Sequence, residues 1–163
     1  MKIGVISDSH NSTVILRAAL AAFHREGIST LLHCGDMTSP ETAALLGEFR
    51  VIHAVGNGDY ASGEIRKILL QQNPLSFSGL VFTGDIGGVP LAVTHGHQRG
   101  EVQQLARTSL YRYVFCGHSH RHSDDAFGAC RVINPGALGG NKYEERSALV
   151  LDLATGQAQF FNP

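Results

Sequence analysis

No run in the 163-residue chain approaches the roughly 20 apolar residues of a membrane-spanning helix. Ahead of Lys2-Ile3-Gly4-Val5-Ile6 there is no charged segment leading into an apolar stretch and a cleavage site, so a cytoplasmic location is expected. Cysteine is scarce. Cys34, Cys116 and Cys130 are odd in number, far apart and form no Cys-x-x-Cys pair, which argues against a disulfide framework and for reduced, buried thiols. Neither sign of charge dominates: the formal net charge is -1, and the 13 Lys and Arg are scattered without a basic run. That gives no nucleic-acid footprint and no membrane-surface patch. Linkers, repeats and low-complexity segments are absent as well, so residues 1–163 read as a single domain. With 43% apolar and 17% charged residues, the chain is globular in composition.

What is present begins with periodicity. Residues 2–7 read as a buried strand ending at Asp8. Asn11 or Ser12 caps a helix whose apolar face is Ile15, Ala18, Ala19, Ala22 and Phe23, closed by Gly27. Thr30 to Cys34 is a second strand. Ser39-Pro40-Glu41 starts a helix with a cap, an early proline and an acid at the positive end of the dipole, running to about Phe49. Val51 to Val55 is a third strand. This strand–helix alternation predicts parallel strands whose ends share one edge of a sheet. The second half reads as mixed or antiparallel sheet. A short helix lies near 64–72, and strands at 77–85 and 89–94 flank a Gly87-Gly88 turn. A helix over Glu101 to Thr108 and a strand over Tyr111 to Cys116 follow. Short strands lie near 124–128, 130–134, 147–153 and 157–161. Two packed sheets with outer helices fit this order best.

Polar clusters sit at the strand ends: Asp8-Ser9-His10, Gly35-Asp36, Gly56-Asn57-Gly58-Asp59, His95-Gly96-His97 and His118-Ser119-His120. A strand end is where an α/β sheet presents chemistry. Asp8, His10, Asp36, Asn57, His95, His118 and His120 supply three oxygen and four nitrogen donors. Such a set suits Mn, Fe, Zn, Ni or Co better than Ca or Mg. With the Asp36 carboxylate shared, the donors divide into two sites of four, and two cations ~3.5–4 Å apart clamp a bridging hydroxide and a phosphoryl oxygen. His24 reads as exposed on a helix, His33 as a local hydrogen-bonding group within a strand, and His122 as surface or backing. Asp59 reads as a turn-stabilising carboxylate, and Arg99 and Arg121 as solvated. The segment Ala61 to Gly88 and the loop Gly136 to Arg146 are expected to shape a substrate pocket, the loop as a lid or interface.

Asp-x-His, Gly-Asp, Gly-Asn-x-Asp, Thr-His-Gly-His and Gly-His-Ser-His, in that order, with Ile133-Asn134-Pro135-Gly136 behind them, resemble the calcineurin-like metallophosphoesterase superfamily. The compact length is similar to its small bacterial and archaeal phosphodiesterase branch. The resemblance implies a four-layer α/β/β/α sandwich of two mixed sheets with outer helices. It implies two divalent ions, Mn first, then Fe, Zn, Ni or Co. One would be held by Asp8, His10, Asp36 and His120, the other by Asp36, Asn57, His95 and His118. It implies phosphoester hydrolysis by in-line attack of a bridging hydroxide, on a small phosphodiester first and a phosphomonoester second, and a homodimer or homotetramer. Asp36, Asn57 and His97 become the candidate catalytic residues. His97, unneeded as a ligand, reads either as a phosphate contact or as a histidine behind the ligands.

Two other classes compete. A binuclear amide hydrolase also uses His-x-His, but early in the chain, whereas here Asp-x-His comes first. A non-catalytic scaffold of the same fold, similar to a eukaryotic trafficking subunit, would be marked by lost ligands, and all seven are intact. One departure from the family pattern carries a consequence. Many members have a histidine directly after the asparagine, placed to protonate the leaving group; here that position is Gly58. Across a series of aryl phosphodiesters, kcat/KM should therefore fall steeply as the leaving-group pKa rises. A flat dependence would reveal another acid.

Overall fold

The computed structural model describes residues 1–140 and 145–163. β1 (Lys2–Ile6), β2 (Thr30–His33) and β3 (Arg50–Ala54) alternate with α1 (Thr13–Arg25) and α2 (Pro40–Ala44). Successive side chains of a strand face opposite layers. Ile3, Val5, Leu32 and Ile52 therefore enter one apolar layer, while Ile6, Leu31 and Val51 pack with Leu16 and Phe23 of α1 in another. The helix lies directly on the sheet at Gly4, where a Cβ would stand 3.0 Å from the Phe23 ring.

Downstream come α3 (Ser62–Gln72), β4 (Phe77–Gly79), β5 (Val81–Ile86), β6 (Val89–Thr94), α4 (Glu101–Arg107), β7 (Tyr113–Phe115), β8 (His122–Phe127), β9 (Cys130–Pro135), β10 (Ala148–Asp152) and β11 (Ala158–Phe161). The strands form two mixed sheets, ordered β11-β10-β1-β2-β3-β4 and β5-β6-β7-β9-β8. Leu91, Val93, Phe115 and Ile133 of the second sheet meet Ile3, Val5, Leu32 and Leu149 of the first. Ala106 of α4 packs with Ala92 and Val114 on the second sheet's outer side. The result is the expected α/β/β/α layering. β1, β2 and β3 are mutually parallel, as are β6 and β7. Their C-terminal ends deliver all the predicted ligand clusters.

Several boundaries differ from the sequence expectation. α2 stops at Ala44 rather than Phe49. The chain continues there in tight turns, with Leu45, Leu46 and Phe49 donating to carbonyls three residues back, as it folds Leu46 and Phe49 into the core. The stretch 77–85 is two strands in different sheets: β4 pairs with β3, β5 pairs with β6, and exposed Leu80 is the crossing between them. The strand expected from Tyr111 begins at Tyr113. α1 buries Leu16, Ala19, Leu20 and Phe23 and leaves Ala18 exposed, because the two leucines bury far more apolar area than the alanines. Ser12 takes the N-cap position but makes no side-chain cap bond, whereas the Ser39 hydroxyl does accept from the Thr42 amide. Of the expected 136–146 loop, residues 141–144 lie outside the described residues. Its two ends are tied, Gly139 N–H donating to the Asp8 carbonyl and the Arg146 guanidinium to the Gly139 carbonyl.

The inter-sheet layer holds the two halves of the ligand set in register, so damage there should cost stability before it alters chemistry. Leu32 is fully buried in it. Leu32→Ala should cost about 3 kcal/mol in urea unfolding, against less than about 0.5 kcal/mol for the exposed Val14→Ala.

Candidate metal centre

Each parallel strand ends in a sharp reversal that turns a polar side chain back over the sheet edge. Among the described residues, eight non-glycine positions have positive φ, and five of them are Asp8, His10, Asp36, His118 and His120. Backbone in this region is strained for side-chain-bearing residues and is held by its surroundings. The turns hold one another: Asp8 N–H donates to the Gly35 carbonyl, His10 N–H to that of Asp36, and Gly117 N–H to that of His95. Glycine is required where the turns touch. A Cβ at Gly117 would come within 1.9 Å of Ser7 Oγ, and one at Gly56 within 2.2 Å of Asp36 Oδ1.

The side chains converge in two groups that share carboxylates. His120 Nε2 lies 3.2 Å and His10 Nε2 3.8 Å from Asp8 Oδ1. The two oxygens of buried Asp36 face opposite ways: Oδ2 is 3.7 Å from His10 Nε2, and Oδ1 is 3.5 Å from His95 Nε2. Asn57 Oδ1 is 3.1 Å from His95 Nε2. Donor atoms of Asp8, His10 and His120 lie within 4.8 Å of one another, and so do those of Asp8, Asp36 and His95. Asp8 thus sits between the groups together with Asp36, where the sequence pattern led us to expect only Asp36. His118 stands at the exposed rim, its ring centroid 5.1 Å from that of His95. The His97 ring is 5.4 Å from His95 and 6.3 Å from His118, so it lines the opening beside the cluster.

Contacts behind the ligands fix their orientation. His95 is fully buried, and its Nδ1 lies 2.7 Å from the Cys34 carbonyl. A carbonyl only accepts, so Nδ1 carries the proton and Nε2 keeps its lone pair toward the centre. Asp8 Oδ2 accepts from the Ser7 hydroxyl and from His118 N–H, which leaves Oδ1 facing inward. Gly58 N–H donates to Asp36 Oδ1 at 2.6 Å, and a Cβ there would crowd that oxygen at 3.0 Å.

A divalent cation fits this arrangement. Asp8 Oδ1 and His10 Nε2 are buried, and neither has a hydrogen-bond partner among the described residues. Buried polar atoms are rarely left so unless something else binds them. Burial pushes the Asp8 carboxyl above its ordinary value, against the Ser7 hydrogen bond and the nearby His95 and His120. Among the described residues no cysteine joins either donor group, and burial pushes the Cys116 thiol up to about 11. All three cysteines are free, Cys34 and Cys130 buried and Cys116 half-buried.

The sequence reading undervalued three residues. Asp59 is buried and accepts from the backbone of Asp36, Thr38 and Gly56 and from His53. His33 and His53, neighbours across β2 and β3, are both fully buried behind the centre. The others fall where expected. His24 is exposed and pairs with Glu48, His122 is exposed beside Phe160, and Arg99 and Arg121 are exposed.

The profile of the calcineurin-like phosphoesterase superfamily domain matches residues 1–156 of the chain. A phosphodiesterase of Methanocaldococcus jannaschii is 29% identical over 141 residues, covering 83% of each chain. The solved structure of an archaeal phosphodiesterase superposes with a TM-score of 0.95 at 25% identity over the whole of both chains. Vacuolar protein sorting 29 of Cryptosporidium parvum shares the fold, with a TM-score of 0.70 at 17% identity, covering 99% of this chain and 98% of that one.

His33 makes stability depend on pH. Gly35 N–H donates to its Nδ1, so Nε2–H donates to Ser9 Oγ, and a second proton would break the first bond. Burial, with His53 close by, pulls its pKa down to about 3, against about 6.5 in an unfolded chain. Between those values the unfolded chain binds a proton that the folded chain refuses. This contribution to stability is therefore full above the unfolded value and is lost as pH falls toward the folded one. It is on the order of 5 kcal/mol. Urea midpoints measured through this window should fall less steeply for His33→Gln than for the parent chain.

Proposed function

The chain belongs to the calcineurin-like phosphoesterase superfamily, and from that membership we propose that it is a metal-dependent phosphodiesterase acting on a small phosphoester through two divalent ions. The observation that carries this reading is the buried Asp36 carboxylate, with one oxygen toward His10 and the other toward His95. A carboxylate so placed would hold one cation at each oxygen. Asp8, His10 and His120 would complete one site with Asp36; Asn57, His95 and His118 would complete the other. Bound cations supply Lewis acidity on the phosphoryl oxygens and lower the pKa of a water to near neutral. Manganese is our first choice, with iron, zinc, nickel or cobalt compatible with the mixed oxygen and nitrogen donors.

The chain's own groups do the rest. Asp8 and Asp36 place negative charge where cations are needed, and the Asn57 amide completes the set without adding more. The buried strand ends keep bulk water from the inward faces of Asp8 and His95. His97, half-buried beside His95 and His118 with Nδ1 lacking a hydrogen-bond partner among the described residues, can donate to an equatorial phosphoryl oxygen as charge builds there. Gly58 offers no proton, so the leaving group departs unassisted from that side. Free cysteines suit a reducing, cytoplasmic setting.

The test is a panel of aryl phosphodiesters and monoesters, run on metal-stripped protein and again after adding each candidate ion. Diester turnover should require metal, exceed monoester turnover and drop at least ~100-fold in Asp36→Ala or His95→Ala with circular dichroism unchanged. Equal rates with and without metal, or none on any phosphoester, would overturn the reading.

A further inference from the structure

Asp59 belongs to no ligand set, yet it joins the two loops that the metal centre depends on. Its side chain is buried in the turn after Asn57. Oδ2 accepts three donors: Asp36 N–H at 3.0 Å, Gly56 N–H at 2.7 Å and His53 Nε2 at 3.1 Å. Oδ1 accepts Thr38 N–H at 2.7 Å. His53 is itself held through Nδ1, 2.9 Å from Ser78 Oγ on β4. One carboxylate therefore clamps the loop after β2, which carries Asp36, to the loop after β3, which carries Asn57. The loops have no slack, since a Cβ at Gly56 would meet the Asp36 amide nitrogen at 2.5 Å.

Apart from Asp36, which both sites share, the other half of the centre is fastened without Asp59. Asp8 is held through Oδ2 by Ser7 and by His118 N–H. Its backbone is held by Gly35 and Gly139, and His10 N–H is tied to the Asp36 carbonyl. Of these bonds only the one from His10 reaches a loop that Asp59 clamps, and that loop stays tied to the first strand end by it and by Asp8 N–H on the Gly35 carbonyl. Removing the Asp59 carboxylate would leave the Asp36 and Gly56 amides without an acceptor and free the Asn57 loop, while the Asp8–His10–His120 group keeps its own supports.

Resting on the metal-centre reading above, we propose that Asp59 is the positioning residue for the second metal site, the one built on Asn57, His95 and His118. Without it the second ion is held markedly more weakly than the first, which shares only Asp36 with the clamped loops. The asymmetry separates this role from a merely structural one, which would weaken both sites together.

The experiment is calorimetric titration of metal-stripped chain with Mn2+ alone, with metal content measured after loading. The parent chain should take two ions. Asp59→Ala should lose at least ~10-fold on the second ion and clearly less on the first, which shares Asp36. Asp59→Asn should weaken the second site less than alanine does. It can turn its amide oxygen to the three donors at Oδ2 and lose only the Thr38 bond. Two ions at parental affinity in Asp59→Ala, or equal loss at both sites, would overturn the proposal. If the alanine variant does not fold, Asp59→Asn decides: selective weakening of the second site supports the proposal, and unchanged or equally weakened sites overturn it. A parent chain that takes fewer than two ions overturns the metal-centre reading itself, and this proposal with it, and is told apart by the parent titration.

Discussion

Two carboxylates, Asp8 and Asp36, lie buried at the ends of neighbouring parallel strands, with donor oxygens within 4.8 Å of one another and of His95. Like charges at this distance in a poorly solvated edge repel, and burial pushes the Asp8 carboxyl above its ordinary value. The surrounding structure answers this constraint in two ways. Backbone amides and a hydroxyl point at both carboxylates: Ser7 and His118 at the outward Oδ2 of Asp8, Gly58 at the Asp36 oxygen that also faces His95. Histidines ring the inward oxygens, each able to stand with a cation in neutralising the pair. A cation held by these side chains would offset the repulsion between the two carboxylates.

That geometry has a backbone cost. Five of the seven predicted ligands, Asp8, His10, Asp36, His118 and His120, occupy left-handed backbone that side-chain-bearing residues rarely adopt. Each such residue costs of order 1–3 kcal/mol, so the cluster draws heavily on the margin of a domain of this size. The two apolar layers and the strand pairing must supply the difference. This explains why the ligand turns are bonded to each other rather than to solvent-facing loops. It also explains why the glycines between them tolerate no Cβ, since Gly56 and Gly117 let the turns approach within contact of Asp36, Ser7 and Asp8.

That the candidate ligands stand at strand ends was legible because each cluster follows an apolar strand, and strand periodicity is a local signal. The order of the clusters then carried the family. What stayed hidden is non-local. The role of Asp59 lies in amides 21 and 23 residues away in the chain, and no pattern of side chains announces a backbone donor. His33 and His53 meet only because β2 and β3 pair in register. The crossing at Leu80 escaped for a related reason: Phe77, Leu80, Val81 and Phe82 read as one strand whether or not the chain changes sheets between them. The position of Asp8 between the two groups depends on angles that sequence spacing does not encode.

The layer of residues behind the ligands bears on what the fold is used for. A sorting protein of Cryptosporidium parvum has the same architecture at 17% identity, so the sandwich alone does not choose between catalysis and scaffolding. A surface used only for docking needs shape at its exterior. It does not need a buried histidine such as His95 fixed in one tautomer by the Cys34 carbonyl, nor a carboxylate such as Asp59 saturated by four donors to lock two loops. Such fittings constrain side-chain positions to fractions of an ångström, the tolerance that metal coordination and in-line transfer demand. In this chain they stand behind Asp36, Asn57 and His95, and this concentration is what favours chemistry at the strand ends over a docking role.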